Sequence, residues 1–240
     1  MSYIVIAAAA VLAGFLQAVT GFGSPMILMM VIPYFYDMVT APAVANSISI
    51  CLAATLFWKF RKEIDWRSCL FPTGVFLVFN LIAIQFVKKI DLNFLSLAFG
   101  VFLIILALYF FLFSKSKPFK ANWISALICG TVSGITSGFF GIGGPLMAIY
   151  FVSATKRKET YIGNIQFLFT LTTSFSMLSR IANGIYTIDL LPTTLIGIAC
   201  VLAGKQLGLR VLNKLDPDKT QKLVYAFVGI SGAITVIQNL

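Results

Sequence analysis

The chain has no histidine, and charged residues fill only 11% of its 240 positions. Its eight acidic residues all lie at the ends of apolar segments or in the connections between them: Asp37, Glu63, Asp65, Asp91, Glu159, Asp189, Asp216 and Asp218. General acid–base catalysis and metal-assisted hydrolysis need imidazole or carboxylate groups at the reacting centre. An enzyme is therefore disfavoured. A cation pathway is disfavoured too, because carboxylates usually line such pathways inside a membrane.

Cysteine is also scarce, and its spacing forms no metal-binding or disulfide pattern. The four cysteines are scattered through apolar sequence without a CxxC pair: Cys51, Cys69, Cys129 and Cys200. Isolated cysteines in apolar sequence are typical of buried free thiols. The chain also lacks a nucleotide-binding P-loop. We therefore predict no metal and no cofactor.

Apolar sequence dominates the chain. Hydrophobic residues make up 59% of it, with 23 Phe, which is typical of a polytopic membrane protein. Six apolar segments reach the roughly 17 to 25 residues needed to cross a bilayer. These predicted spans are 42–58, 68–87, 92–113, 160–179, 188–204 and 220–238. Residues 4–19 lack a preceding basic residue and a good cleavage site, so we expect them to remain in the mature protein.

Two further apolar regions, 3–36 and 122–154, are each interrupted by a Gly/Pro break, at an offset of 120 residues. The breaks read Gly21-Phe22-Gly23-Ser24-Pro25 and Gly141-Ile142-Gly143-Gly144-Pro145. Each region is predicted to form a broken helical hairpin, because freed backbone groups in lipid need partners from protein or a wet cavity. The span after each hairpin carries a small-Asn step, Ala45-Asn46 and Gly163-Asn164. The chain therefore divides into two repeats, 1–114 and 115–240.

The basic residues predict the orientation of the chain. Fifteen of the eighteen Lys and Arg flank one face of the predicted spans, and the exceptions are Lys88, Lys89 and Arg180. Because basic residues are retained on the cytoplasmic side, this face is predicted to be cytoplasmic, with both termini on the opposite side. The net charge of +10 is then a topology signal rather than a sign of nucleic-acid binding. We predict a multi-pass protein of the cell inner membrane.

Parity relates the two halves. Each half has one hairpin, which starts and ends on the same side of the membrane, followed by three spans. Three crossings are an odd number, so the second half starts on the side opposite to the first. The halves must therefore be inverted with respect to each other. The predicted fold class is an all-α polytopic membrane protein with two inverted repeats, each a broken helical hairpin plus three transmembrane helices. Inverted repeats with discontinuous helices are an architecture of transporters.

The breaks are also the predicted substrate site. Proline in a first helical turn, with glycines before it, lets backbone amides approach a ligand closely, and the helix dipole behind them favours an anion. Neighbouring amide side chains would add hydrogen-bond donors. The candidate substrate-binding residues are Gly21, Gly23, Ser24, Pro25, Asn46, Gly141, Gly143, Gly144, Pro145, Asn164 and Gln166. Alternatively, Gly and Pro only permit close packing, and the polar groups hydrogen-bond between helices.

Two basic residues stand at equivalent ends of the spans that follow the hairpins, Lys62 and Arg180. They would attract anions at opposite entrances. The alternative is that both are anchors that snorkel to the membrane surface.

These features together resemble the sulfite exporter TauE/SafE family of integral membrane proteins. The resemblance rests on the GxGSP and GxGGP breaks, the small-Asn steps and a basic loop between the halves, and it covers essentially the whole chain. It implies a transporter, often an exporter, of small sulfur-containing oxyanions such as sulfite, sulfoacetate or related organosulfonates. The positions that match the family are Gly21, Gly23, Ser24, Pro25, Gly141, Gly143, Gly144 and Pro145. Ser24 departs from the glycine common in the family, and its hydroxyl bears on substrate size.

Two alternatives to an oxyanion exporter stay open. One is a proton- or sodium-coupled importer of a small organic anion, and the other is a non-transporting membrane scaffold. The expected partners are a small anionic substrate and the lipid bilayer, with no nucleic acid. The oligomeric state, a homodimer included, is left open by the sequence.

Overall fold

The computed structural model describes residues 2–113, 120–211, 229–230 and 232–238, and every regular element in these residues is helical. The helices are α1 (Ser2–Thr20), α2 (Ser24–Met29), α3 (Ala41–Phe60), α4 (Trp66–Val87), α5 (Leu92–Phe113), α6 (Trp123–Phe140), α7 (Gly144–Ala154), α8 (Lys158–Ala182) and α9 (Leu191–Val211). Short 3-10 turns lie at Ile32–Tyr34, Arg61–Glu63 and Ile188–Leu190. The predicted all-α class is confirmed.

Six helical segments of the described chain are long and apolar enough to cross a membrane: Tyr3–Thr20, Ala41–Glu63, Trp66–Val87, Leu92–Tyr109, Trp123–Phe140 and Ile188–Arg210. The protein is thus a multi-pass membrane protein. Four of these segments match predicted spans, and the other two are α1 and α6, the first arms of the predicted hairpins. Helix α8 covers 160–179 but is absent from the six, because its hydroxyl and amide side chains lower its hydropathy. The predicted span 220–238 lies mostly outside the described residues.

A pair of helices of unequal length flanks each predicted break, and the hairpin bounds 3–36 and 122–154 stay a prediction. The first pairs α1, of 19 residues, with α2, of 6 residues. The second pairs α6, of 18 residues, with α7, of 11 residues. Each chain reversal falls on the predicted break, so the long arm of each hairpin ends where its glycines begin.

Glycine controls the closest helix pairs. A Cβ atom on Gly14 would lie 1.9 Å from the carbonyl oxygen of Val201, and one on Gly204 would lie 1.9 Å from that of Val11. The α1 and α9 backbones therefore touch directly, which is typical of small-residue packing in membranes. Helices α4 and α6 touch in the same way, since a Cβ on Gly134 would lie 2.5 Å from the carbonyl oxygen of Phe76. Gly204 meets Val11 and Gly208 meets Phe15 four residues later on both helices, so α1 and α9 run parallel. Gly130 meets Val75 and Gly138 meets Ala83, so α4 and α6 run parallel too.

Helices α3 and α8 lie at the centre and run antiparallel. Asn164 near the start of α8 binds the chain after α3, and Arg180 near the end of α8 binds the chain before α3. Hydrogen bonds of 2.9 Å between Ser47 and Thr194 and between Lys205 and Thr55 show that α9 runs parallel to α3.

A hydrogen bond between Ser176 and Asn80 and one between Cys69 and Asn164 set α4 parallel to α8. Helices α1 and α6 pack on α9 and α4 as corresponding partners of the two halves. An inverted repeat predicts this pairing. The inversion stays a prediction, because the counterpart of α5 lies mostly outside the described residues.

Candidate functional site

A buried cavity lies where the two breaks meet. Gly23 and Pro25 line it from the first break, and the whole of Gly141–Pro145 lines it from the second. Its volume is about 30 Å³, which leaves room for about two water-sized groups. Among the described residues, the lining contains amide, hydroxyl, apolar and backbone groups and no ionisable side chain. The structure therefore brings together two segments that are 120 residues apart at one small uncharged cavity.

The backbone at the breaks requires glycine. Gly21, Gly23 and Gly141 have φ angles of 85°, 107° and 71°, in the left-handed region that side chains disfavour. Gly143 has an ordinary φ of −127°, and its constraint is steric. A Cβ there would lie 2.5 Å from the carbonyl oxygen of Ser133 and 2.6 Å from the ring of Phe76. The breaks combine two physical reasons for glycine, one conformational and one of packing.

The N-terminus of α7, which follows the second break, is better suited to bind an anion than the N-terminus of α2. Helix α7 begins at Gly144 with Pro145 in its first turn, and its N-cap residue Gly143 supplies no side-chain cap. First-turn amides have no partner within their own helix, so these groups stay open toward the cavity. The 11 residues of α7 place the positive end of a three-turn dipole behind them.

The first break is filled by a side chain of the protein itself. The side-chain oxygen of Gln17 accepts the backbone N–H of Ser24 at 3.2 Å. The side-chain nitrogen of Gln17 donates to Gln166 at 3.4 Å, and Gln166 in turn donates to the carbonyl oxygen of Gly21. With only six residues, α2 also has a smaller dipole than α7. The sequence predicts two equivalent sets of open amides, whereas the structure leaves mainly the second set open.

Gln17 was not predicted to be a site residue, although it lines the cavity and is buried. Its position in the sequence could have indicated this role. Gln17 is a polar residue in an apolar segment, and it precedes Ser137 by 120 residues, which is the offset between the two breaks. Ser137 also lines the cavity.

Asn46 lies in the cavity wall as predicted. Only 3% of its surface is exposed, and a Cβ on Gly141 would lie 3.6 Å from its Oδ1. Within the described residues its side chain has no hydrogen-bond partner. Ser49, one turn further along α3, also lines the cavity and shares a 2.8 Å hydrogen bond with the Ser24 hydroxyl. Asn46 is therefore a buried donor that faces the cavity and is not used by the protein.

Asn164 lies elsewhere, although it occupies the equivalent position of the second repeat. Its Oδ1 accepts the backbone N–H of Asp65 at 2.9 Å, and its Nδ2 donates to Ser68 at 3.2 Å. The side chain thus holds the connection between α3 and α4 and does not line the cavity. The two asparagines are equivalent in sequence and differ in surroundings.

Helix α8 supplies the remaining polar wall of the cavity. Thr172 and Thr173 line it together with Phe169, and the Thr172 hydroxyl donates to the carbonyl oxygen of Leu168 at 2.7 Å. Thr170 instead has a buried hydroxyl without a partner in the described chain. Gln166 stands at the first break, one turn before these residues.

Arg180 is fully buried, so the snorkelling alternative is wrong for this residue. Its Nη2 donates to the carbonyl oxygen of Gly138 at 2.7 Å, and its Nη1 donates to that of Val39 at 3.3 Å. Its equivalent Lys62 is exposed, as an anchor or entrance residue would be. Burial of one residue of the pair distinguishes the two ends of the protein.

Metal-binding chemistry finds no support in the part of the chain that the structure covers. There, no three residues of the types His, Cys, Asp and Glu come together, and the four cysteines are free thiols.

A bundle of apolar helices in which two broken hairpins meet at a buried polar cavity is an architecture of membrane transporters. The chain belongs to the sulfite exporter TauE/SafE family, whose model matches residues 6–235.

Three curated relatives span most of its length. A probable membrane transporter protein of Methanocaldococcus jannaschii is 24% identical over 93% of this chain and 91% of the relative. The probable sulfite/organosulfonate exporter TauE of Cupriavidus necator is 23% identical, over 92% and 88%. The probable membrane transporter protein YunE of Bacillus subtilis is 25% identical, over 80% and 84%. No solved structure gives a significant match.

Proposed function

We propose that this protein exports small sulfur-containing oxyanions, such as sulfite or an organosulfonate like sulfoacetate, across the cell inner membrane. The substrate binds in the cavity between the two breaks. Membership of the family supports transport, and the similarity to the probable sulfite/organosulfonate exporter of Cupriavidus necator supports this substrate class.

The observation that carries the proposal is the composition of the cavity wall. Among the described residues, it contains hydrogen-bond donors and no aspartate or glutamate. The amide of Asn46 is buried against the cavity without a partner, and the first-turn amides of α7 stand beside it. Buried donors without acceptors cost free energy unless a ligand satisfies them. An oxyanion supplies several acceptors at once, and the α7 dipole favours its charge.

The size of the cavity favours a small substrate. A cavity of about 30 Å³ would have to widen to hold the four non-hydrogen atoms of sulfite, and further for an organosulfonate. The Ser24 hydroxyl does not reduce this volume, because its hydrogen bond to Ser49 holds it outside the cavity lining.

We expect the two halves to be inverted repeats that rock about this site near the midplane. The corresponding pairs α1 with α9 and α4 with α6, together with the antiparallel central pair α3 and α8, support that arrangement. Both termini are then non-cytoplasmic, because the basic loops occupy the other face.

Electrostatics favour export. A membrane potential of about 100 mV, negative inside, contributes roughly 2.3 kcal/mol per elementary charge to the expulsion of an anion. A dianion gains about twice that. No carboxylate lines the cavity to couple the movement to a proton or a cation.

Flux measurements in proteoliposomes test the proposal. We expect saturable sulfite flux that follows an imposed potential and is lost in Asn46→Leu. The matched control Asn93→Leu changes an exposed asparagine at the start of α5 and should transport normally.

Two outcomes would contradict the proposal. Flux that ignores the potential and follows a proton or sodium gradient would instead establish a coupled importer. A correctly inserted protein that neither binds nor moves any anion would be a scaffold.

A further inference from the structure

Arg180 is a buried cation without a counter-ion in the described chain. No carboxylate of the described residues lies within 4.0 Å of it, and both ion pairs found there involve Arg157 instead. The two carbonyl contacts of Arg180 use its terminal nitrogens, and its Nε is buried with no acceptor. An intramembrane charge of this kind is costly and is usually kept for function.

A second orphaned donor lies beside it. Asn80 of α4 is fully buried, its Oδ1 accepts the hydroxyl of Ser176, and its Nδ2 has no partner. Ser176 precedes Arg180 by one turn on α8, so the two side chains share a helix face about 5 to 6 Å apart. Gly138 of α6 touches both residues, since it accepts from Arg180 and lies against the Asn80 backbone. Gly138 therefore lies between two residues that each keep a buried donor without an acceptor in the described residues, Arg180 Nε and Asn80 Nδ2.

This cluster stands next to the cavity, toward the end of the bundle where α3 begins. Thr172 lines the cavity and precedes Arg180 by two turns, about 12 Å along the helix axis. Helical side chains point back toward the N-terminus, which brings the guanidinium closer to the cavity. Gly138, which holds the guanidinium, directly follows Ser137 of the cavity wall.

We propose that Arg180 and Asn80 form a second anion-binding position on the route between the cavity and the Val39 end of the bundle. This proposal rests on the proposed function. The planar fork of an arginine matches an oxyanion in two hydrogen bonds, and its charge persists at any physiological pH. In the described state the carbonyl oxygens of Gly138 and Val39 occupy the terminal nitrogens. An arriving anion would take over from them while the amide of Asn80 donates to it.

Alternatively, Arg180 has only a structural role and links α6 to the chain before α3. The substitution Asn80→Asp distinguishes anion binding from this structural role. That change keeps the size of the side chain and the acceptor for Ser176, and it places a carboxylate beside the guanidinium. A paired Arg180 would still bridge the two carbonyls, but it would no longer attract an anion.

Sulfite flux into proteoliposomes of the full chain tests the proposal. At sub-saturating sulfite, we expect Arg180→Gln and Asn80→Asp to lower the flux at least tenfold, with Arg180→Lys in between. Lys88→Gln is the matched control, because it removes one exposed positive charge at the same end and should stay within twofold of the wild type. The thermal midpoint of Asn80→Asp without sulfite should equal or exceed that of the wild type.

Wild-type flux in Asn80→Asp, or equal flux in Arg180→Gln and Lys88→Gln, would overturn the second position. If the Arg180→Gln protein does not insert into the membrane, the sulfite fluxes of Asn80→Asp and Arg180→Lys test the second position instead. Asn46→Leu separates the two proposals. Flux that is lost in that variant and retained in the Arg180 and Asn80 variants overturns only the second position, whereas a wild-type protein that does not respond to sulfite overturns both.

Discussion

The side-chain oxygen of Gln17 accepts the backbone N–H of Ser24 at 3.2 Å, across the first of the two breaks. At the equivalent place in the second break stands Ser137, whose shorter side chain leaves the start of α7 uncovered. The two breaks therefore have different roles although their sequences are similar. The first is stabilised by the protein itself, and the second presents amides to the cavity.

Replacing Gln17 by Leu should destabilise the protein. The buried N–H of Ser24 and the amide of Gln166 would each lose a partner, at a cost of about 1–3 kcal/mol for each unsatisfied group. In a protein of this size each kcal/mol lowers the thermal midpoint by about 2–4 °C, which a melting curve in detergent would detect. Gln85→Leu changes an exposed glutamine of α4 and should leave the midpoint within the error of the method. Equal midpoints for both variants would refute the role of Gln17.

Gly143→Ala should abolish transport while the chain still inserts. The new methyl group would stand 2.5 Å from the Ser133 carbonyl oxygen and 2.6 Å from the Phe76 ring, so the start of α7 must shift. Overpacking of this kind costs about 1–3 kcal/mol. Gly74→Ala is the control, since nothing lies within 4 Å of a Cβ there and alanine is the better helix former. Normal flux in Gly143→Ala would show that the position of α7 is not critical.

The two equivalent asparagines should separate binding from stability. Asn164→Leu removes the acceptor for the Asp65 N–H, so the thermal midpoint without ligand should fall by several degrees. Asn46→Leu breaks no hydrogen bond in the described chain, so its midpoint should hold. An anion at a hundred times its Kd stabilises the wild type by about 2.7 kcal/mol. That gain should vanish in Asn46→Leu and persist in Asn164→Leu, and the reverse pattern would place the site elsewhere.

Gly204→Ala should disrupt the contact between α1 and α9. Its Cβ would lie 1.9 Å from the carbonyl oxygen of Val11, which is backbone and cannot rotate away. We expect faster backbone hydrogen exchange in α1 and a lower yield of folded protein, because the two helices must move apart. Exchange rates unchanged from those of Gly74→Ala would mean that the interface tolerates the extra volume.

Most of the fold followed from local sequence. Helices end at both predicted breaks, because a Gly/Pro break stops a helix wherever it occurs. Helix α8 was also predicted, although its hydropathy is too low to qualify as a span by composition. Four of its polar side chains bond to other segments of the protein: Asn164, Gln166, Ser176 and Arg180. A hydropathy scale ignores such partners.

The candidate site was predicted only in part. Asn46 and most residues of the breaks do meet at one cavity, namely Gly23, Pro25, Gly141, Gly143, Gly144 and Pro145. Gly21 does not line it. Ser24 and Gln166 stand behind it, and Gln17 was missed. Arg180 was expected at a surface and is buried. Gln17, Gln166 and Arg180 each have a partner in the other half of the molecule, and Ser24 is held by Ser49 of the next long helix. One sequence without its contacts cannot reveal such partners.

The sequence by itself determined the membrane class, the two hairpins and the conformations that demand glycine, since hydrophobicity and backbone sterics act within a few residues. The tertiary structure alone decided which polar groups are free. Asn164 is occupied by a backbone amide 99 residues away, while Asn46 has no partner in the described chain. A donor is available to a substrate only if no neighbour in space has satisfied it, and that neighbour is chosen by packing.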